Sequence, residues 1–208
     1  MIFKIKIRRL KLKEESIALL FVGPPACGKG TNAKRLAQEL EGAYFSTGDA
    51  FRERRKNDPE FERKAGHILD SGGLLSDTFV VQTFQHWLQQ NRHFRYVILD
   101  GVIRTVPQAE MIILLLRDYR YQTISTLLFN LPDEVCVQRM LNRQKENQGR
   151  ADDREGVIKM RLKNYEAHLV DLKNHLYYRT NLVPINANRA IEEVYSEVRA
   201  VLPMVSVV

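Results

Sequence analysis

The sequence predicts an α/β fold: a central parallel sheet flanked by helices on both faces. Three features point to it. Short apolar runs alternate with helix-like segments along the chain, the order of a parallel sheet joined by crossover helices. The first run, IALLFV at 17–22, is apolar without a break, the habit of a strand buried on both faces. And 208 residues, 44% hydrophobic and 27% charged, suffice for one sizeable core.

The elements follow in order. Gly23-Pro24-Pro25 stops the first strand, and a helix is predicted over 29–40, with Leu36, Ala37 and Leu40 on one face and Gly42 as its C-terminal cap. A short strand fits 43–46. Residues 49–70 are heavily charged and helix-like, and Gly72-Gly73 breaks them. Ser76 caps a helix through about residue 90. Another apolar run at 96–99 ends in Asp100-Gly101. A helix over 107–116, a strand over 123–131 and a helix over 133–143 come next. Between 144 and 154 the only apolar residue is Ala151. Ile158, Leu162, Tyr165, Leu169, Leu172 and Leu176 then repeat at steps of four and three. The stripe spans too few heptads for a coiled coil and predicts one long helix packed on its own domain. A strand over 182–185 and a helix over 190–202 close the chain. This is one α/β domain over 16–208, with polar excursions at about 46–76 and 143–154.

Composition excludes several classes. The chain has two cysteines, Cys27 and Cys136, which rules out a disulfide framework or paired C-x-x-C zinc site and suggests a reducing, cytoplasmic setting. No apolar run approaches the roughly 20 residues that span a bilayer. The net charge of +7 is concentrated at the start: Lys4, Lys6, Arg8, Arg9, Lys11 and Lys13 precede the first acid, and without them the balance is +1. Residues 1–15 read as a basic extension with strand-like alternation. It is either solvated, in contact with an anionic surface, or an organelle-targeting segment. No partner is expected to be nucleic acid. The five histidines make no i, i+4 pair, and Cys27 reads as a small loop residue rather than a nucleophile.

The sharpest signal is Gly23-Pro24-Pro25-Ala26-Cys27-Gly28-Lys29-Gly30-Thr31, standing after a buried strand and opening a helix. The first turn of a helix offers unpaired N–H groups and the positive end of the macrodipole, so phosphate binds there through backbone. Gly28 lets the chain curl around the oxygens and Lys29 adds a movable charge. Thr31 offers a hydroxyl to phosphate or to water on Mg²⁺. The strict pattern has Ser or Thr directly after the lysine; here Gly30 intervenes.

That variation resembles the loop of adenylate kinases and related nucleoside monophosphate kinases, and the resemblance extends from about residue 17 to 202. Ser46-Thr47-Gly48-Asp49 with Arg52, Gly73-Leu74-Leu75-Ser76-Asp77, and Asp100-Gly101-Val102-Ile103-Arg104-Thr105-x-x-Gln108 are similar to the family's monophosphate-binding segments. Arg139-x-x-x-Arg143, Gly149-Arg150-x-Asp152-Asp153 and Arg161-x-x-x-Tyr165 resemble its short lid and flanks. The implied fold is the three-layer P-loop NTPase fold with a small helical monophosphate-binding excursion. The implied reaction is Mg·ATP + AMP ⇌ 2 ADP, catalysed by a monomer.

Phosphoryl transfer passes through a loose transition state, so positioning and charge neutralisation do most of the work. The resemblance implies that Lys29, Arg104, Arg143, Arg150 and Arg161 surround the transferring group. Gly23, Ala26, Cys27, Gly28, Lys29, Gly30 and Thr31 would hold ATP with Arg143, and Arg139 would lie on its adenine. Thr47, Arg52, Leu75, Gly101, Arg104, Gln108, Arg150 and Arg161 would hold AMP, with Arg52 and Arg104 forked onto its phosphate. Asp100, ending a strand beside the loop, could hold water on Mg²⁺. Asp49, Asp152 and Asp153 would position basic groups. Thr47 and Gln108 favour adenine, since a carboxamide matches its donor–acceptor edge; a UMP or CMP kinase is the neighbouring alternative.

The departures are specific. Ala26 stands where the family usually has Gly. Val102-Ile103 replaces Phe-Pro, so a trans peptide is expected there. The short 143–154 segment lacks the longer zinc-type lid of some relatives, and no structural metal is expected. A catalytically weak nucleotide-binding relative therefore stands as a second alternative, and a nucleic-acid factor acting through the tail as a third.

Overall fold

The computed structural model describes residues 16–145 and 155–205. Five strands, β1 (Ser16–Val22), β2 (Ala43–Ser46), β3 (Tyr96–Asp100), β4 (Tyr121–Asn130) and β5 (Asn181–Asn186), form one sheet in the order β2-β3-β1-β4-β5. Every pairing is parallel; Leu19 at the centre of β1 lies between Ile98 and Ser125. β1 holds the central place, and it is buried at every position from Ile17 to Val22. Pro184, which cannot donate to a ladder, sits in the edge strand β5.

Alternation along β1 divides the core. Ile17, Leu19 and Phe21 face one layer, with α1 (Lys29–Glu39), α6 (Asp133–Lys145) and α8 (Ile191–Val205). Ala18, Leu20 and Val22 face the other, with α4 (Asp77–Asn91) and α5 (Val106–Asp118). α7 (Glu155–Arg179) serves both: Ile158 and Leu162 join the first cluster, Leu172 and Leu176 the second. The four-three stripe is thus an intradomain face. At about 1.5–3 kcal/mol per fully buried large side chain, it anchors α7 at both ends.

The charged stretch after β2 is two helices rather than one, α2 (Thr47–Asn57) and α3 (Pro59–Asp70). Asp58 ends the first and caps the second by accepting from the Phe61 N–H, and Pro59 opens α3 where its missing N–H costs nothing. This excursion has its own small core, in which the rings of Phe51, Phe61 and Phe79 lie 5.6–6.0 Å apart.

Two expectations shift. The end of α1 is a Schellman turn in which Glu41, at φ 49°, takes the left-handed residue expected of Gly42, and the Gly42 N–H reaches the Ala37 carbonyl at 2.9 Å. What Gly42 supplies is closeness, because a Cβ there would fall 2.8 Å from Ile98 and 3.0 Å from Tyr96. β4 starts at Tyr121, two residues earlier than its apolar pattern suggested, and ends at Asn130. The extension 1–15 and lid residues 146–154, with Arg150, Asp152 and Asp153, lie outside the described residues.

Candidate active site

The site is built where β1, β2 and β3 end. β1 runs into a loop whose Ala26 stands at φ 58°, the left-handed conformation that glycine would take without strain. For alanine it costs roughly 1–2 kcal/mol. Gly28, at φ 89°, is the N-cap of α1; no side chain caps this helix and its first turn holds no acid. The N–H groups there therefore face outward as an anion cradle. Lys29 donates from Nζ to the carbonyls of Gly23 at 2.8 Å and Pro24 at 2.7 Å, which folds its ammonium over the loop. Cys27 is 2% exposed beneath it.

The end of β3 and the first turn of α2 deliver the acidic pair, Asp100 and Asp49. Asp100 ends β3, and a Cβ on Gly30 would lie 3.0 Å from its Oδ2. The glycine that follows the lysine is thus what lets this carboxylate approach the helix start. Tyr44 on β2 donates to Asp100 at 3.2 Å and lies 3.4 Å from Asp49. Burial, and then the Asp100 charge, push the Tyr44 hydroxyl well above its usual range, so it stays a donor. Asp49 is partly buried, which opposes its charge, but Arg52 and Lys34 bind it and hold its carboxyl below the usual range. Burial pushes the Cys136 thiol up to about 12, so it is no nucleophile.

Opposite stand the ends of α2, α4 and α5. The Thr47 hydroxyl donates to the Gly101 carbonyl at 2.8 Å. Gln108 is 1% exposed and held at both ends of its carboxamide: Oε1 accepts from the Arg104 N–H at 2.8 Å, and Nε2 donates to Asp77 at 2.8 Å. The Val102–Ile103 peptide is trans, and both side chains are buried. Arg55 binds Glu62 and Asp70 together and so straps α2 to α3. From α7, Asn164 donates to the Gly72 carbonyl at 3.0 Å, and the Arg161 side chain packs beside Gly72, so the end of the excursion rests on this helix.

Together these groups enclose a cavity of about 580 Å³. It is lined by Gly23, Ala26, Cys27, Gly28, Lys29, Gly30 and Thr31 on the loop side. Thr47, Arg52, Leu75, Asp100, Gly101, Arg104 and Gln108 line the excursion side, and Arg139, Arg143 and Arg161 lie beyond. Every site residue expected from the sequence and present among the described residues is here; Arg150, Asp152 and Asp153 are outside them. Tyr165, quoted with Arg161 in its motif, also lines the cavity, as do Tyr44, Lys34, Arg55 and Asn164, which were not anticipated. Tyr44 could have been found from its place between Ala43 and Phe45, which face the opposite layer. Arg139 is held by the Ala187 carbonyl at 3.0 Å rather than splayed on a helix surface.

Charge gives the cavity its character. Eight lysines and arginines line it against two carboxylates, Asp49 and Asp100. Such a surplus suits a ligand carrying several negative charges. Among the described residues no cluster of three or more His, Cys, Asp or Glu could hold a metal ion. The oxygen donors beside the loop are the Asp100 carboxylate and the Thr31 hydroxyl. That sparse set fits Mg²⁺, which keeps several waters and is bound largely by substrate phosphates.

A strand, a glycine-rich loop and an uncapped helix start on a parallel sheet define a P-loop nucleotide-binding protein. The family model described as adenylate kinase matches residues 21–181. The chain is 39% identical to an adenylate kinase of Synechococcus sp. over 88% of its own length and 97% of that protein. It is 34% identical to adenylate kinases of Maricaulis maris and Thermus thermophilus over similar spans. The chain belongs to the adenylate kinase family.

Proposed function

We propose that the protein catalyses reversible, Mg²⁺-dependent transfer of the γ-phosphoryl group of ATP to AMP, giving two ADP. The carrying observation is that one cavity is lined both by the phosphate loop and, on its other side, by Arg52 and Arg104, two guanidinium groups suited to a second phosphate. Two nucleotides held phosphate to phosphate would fill both walls. Family membership supports the same reaction.

In this reading the loop N–H groups and Lys29 bind the ATP phosphates. Arg143 and Arg161, with Arg150, neutralise the charge that spreads over the transferring phosphoryl. Arg52 and Arg104 orient the AMP phosphate for in-line attack, Asp49 keeps Arg52 in place, and Arg139 faces the ATP base. Thr47, Leu75, Gly101 and Gln108 form the AMP base pocket. Mg²⁺ would supply charge neutralisation between the ATP phosphates, with Asp100 and Thr31 holding its water. Because little covalent chemistry is required, arginines and one lysine suffice, and near-attack geometry supplies much of the acceleration.

The enzyme acts as a monomer in the cytoplasm, a setting supported by two cysteines that are both free and buried. The basic segment 1–15 is assigned no part in the reaction, and its six lysines and arginines suit an anionic surface. No helix among the described residues is long and apolar enough to cross a membrane.

The deciding experiment measures ADP production from ATP with AMP, CMP, UMP or GMP, with and without Mg²⁺. ADP formation should require Mg²⁺ and be fastest with AMP. Faster use of a pyrimidine nucleotide, or ATP binding without transfer to any acceptor, would overturn the assignment.

A further inference from the structure

The Gln108 carboxamide can take only one orientation. A carboxylate accepts and cannot donate; a backbone N–H donates and cannot accept. Asp77, in the first turn of α4, presents Oδ1 to the Gln108 amide nitrogen at 2.8 Å, and the Arg104 N–H meets the Gln108 oxygen at 2.8 Å. Turning the carboxamide over would place NH₂ against N–H on one side and two acceptors against each other on the other. Asp77 is itself fixed, since Oδ1 also accepts from the Thr105 hydroxyl at 2.9 Å. Thr105 in turn caps α5 by accepting from the Gln108 N–H. Two helix starts, from segments 28 residues apart, are joined through this one oxygen.

We infer that Asp77 is a specificity-determining positioning residue, locking Gln108 so that the acceptor site prefers 6-aminopurine over 6-oxopurine nucleotides. The inference rests on the AMP reading above and deepens it. After its two bonds, the carboxamide keeps one hydrogen on Nε2 and one lone pair on Oε1. Adenine offers an acceptor at N1 and a donor at its amino group. A 6-oxopurine offers a donor at N1 and an acceptor at O6, the reverse order. A carboxamide free to turn over would serve both bases equally; a locked one serves one. Asp77 touches no substrate and acts only through Gln108.

The test uses the full chain with ATP and either AMP or IMP as acceptor. The wild type should favour AMP over IMP in kcat/KM by at least about a hundredfold, as expected where a mismatched base leaves buried polar groups unpaired. Asp77→Asn, whose side chain can present either an oxygen or an NH₂, should narrow that ratio about tenfold. The KM for AMP should rise and the KM for ATP should hold. Rescue by a carboxylate, in Asp77→Glu, should restore part of the ratio. An unchanged AMP/IMP ratio in a folded Asp77→Asn chain overturns the proposal, as does a wild type that uses IMP as well as AMP. Calorimetric titration of the wild type with AMP or IMP alone decides the matter if the variants do not fold: equal affinities overturn it. If the wild type transfers to no acceptor, the phosphotransfer reading fails, and the same titrations still judge the lock.

Discussion

Tyr44 donates its hydroxyl to Asp100 across the ends of two neighbouring strands, at 3.2 Å, and the same oxygen lies 3.4 Å from Asp49. One phenol thereby links the carboxylate beside the phosphate loop to the carboxylate that holds Arg52. Tyr44→Phe removes the link without changing shape. It should lower unfolding stability in urea by about 1–2 kcal/mol, the loss expected when a charged acceptor forfeits a partly buried donor. It should also raise the KM for AMP more than that for ATP, because Arg52 loses part of its support.

Lys29 lies over the loop it serves, bound to the carbonyls of Gly23 and Pro24. Lys29→Met keeps the length of the side chain and deletes the charge. Turnover should fall by about a thousandfold or more, the scale for losing a preorganised charge at a transition state. Urea midpoints should change little, since only two loop carbonyls and the Cys27 sulfur lose a partner. Unchanged ADP formation would remove Lys29 from the catalytic set.

Ala26 holds φ 58°. Ala26→Gly should relieve a left-handed alanine at the expense of a looser unfolded chain, a net gain of up to about 1 kcal/mol. Chemical denaturation would show it as a higher midpoint at constant slope. A lower midpoint would mean that the loop draws its rigidity from the alanine methyl.

Acid should loosen the excursion. The Asp58 carboxyl is held low by the Phe61 N–H and then by Arg54, and Glu62 by Arg55; Asp49 is held low by Arg52 and Lys34 against its burial. Groups depressed in the folded state add stability that is complete above their unfolded values, near 4, and is lost as the pH falls through the lowered folded ones. The protection factors of the α2 and α3 amides should therefore fall as the pH drops below about 4, ahead of those of the sheet. The small aromatic core of Phe51, Phe61 and Phe79 has little in reserve to offset this.

Much of this was legible in the chain because it is local. IALLFV marks the central strand, Ser76 caps its helix as expected, and Lys29 stands at the start of α1. The stripe from Ile158 to Leu176 announced α7, but not that it would divide between two clusters. What stayed hidden depends on residues that meet only after folding. Tyr44 and Asp100 are 56 positions apart, and Asn164 and Gly72 are 92. Glu41 took the left-handed turn because Gly42 was needed where Ile98 and Tyr96 press close, a demand no local pattern records. Asp77 was visible as part of a motif, yet its bond to Gln108 exists only once α4 and α5 start side by side.

The seat of Gly72 on α7 has a mechanical consequence. Asn164 grips the carbonyl of Gly72, and Arg161 stands beside it on the same helix that crosses both layers of the core. The end of the excursion and the Arg161 side chain share one axle, so a small tilt of that rod swings both in step.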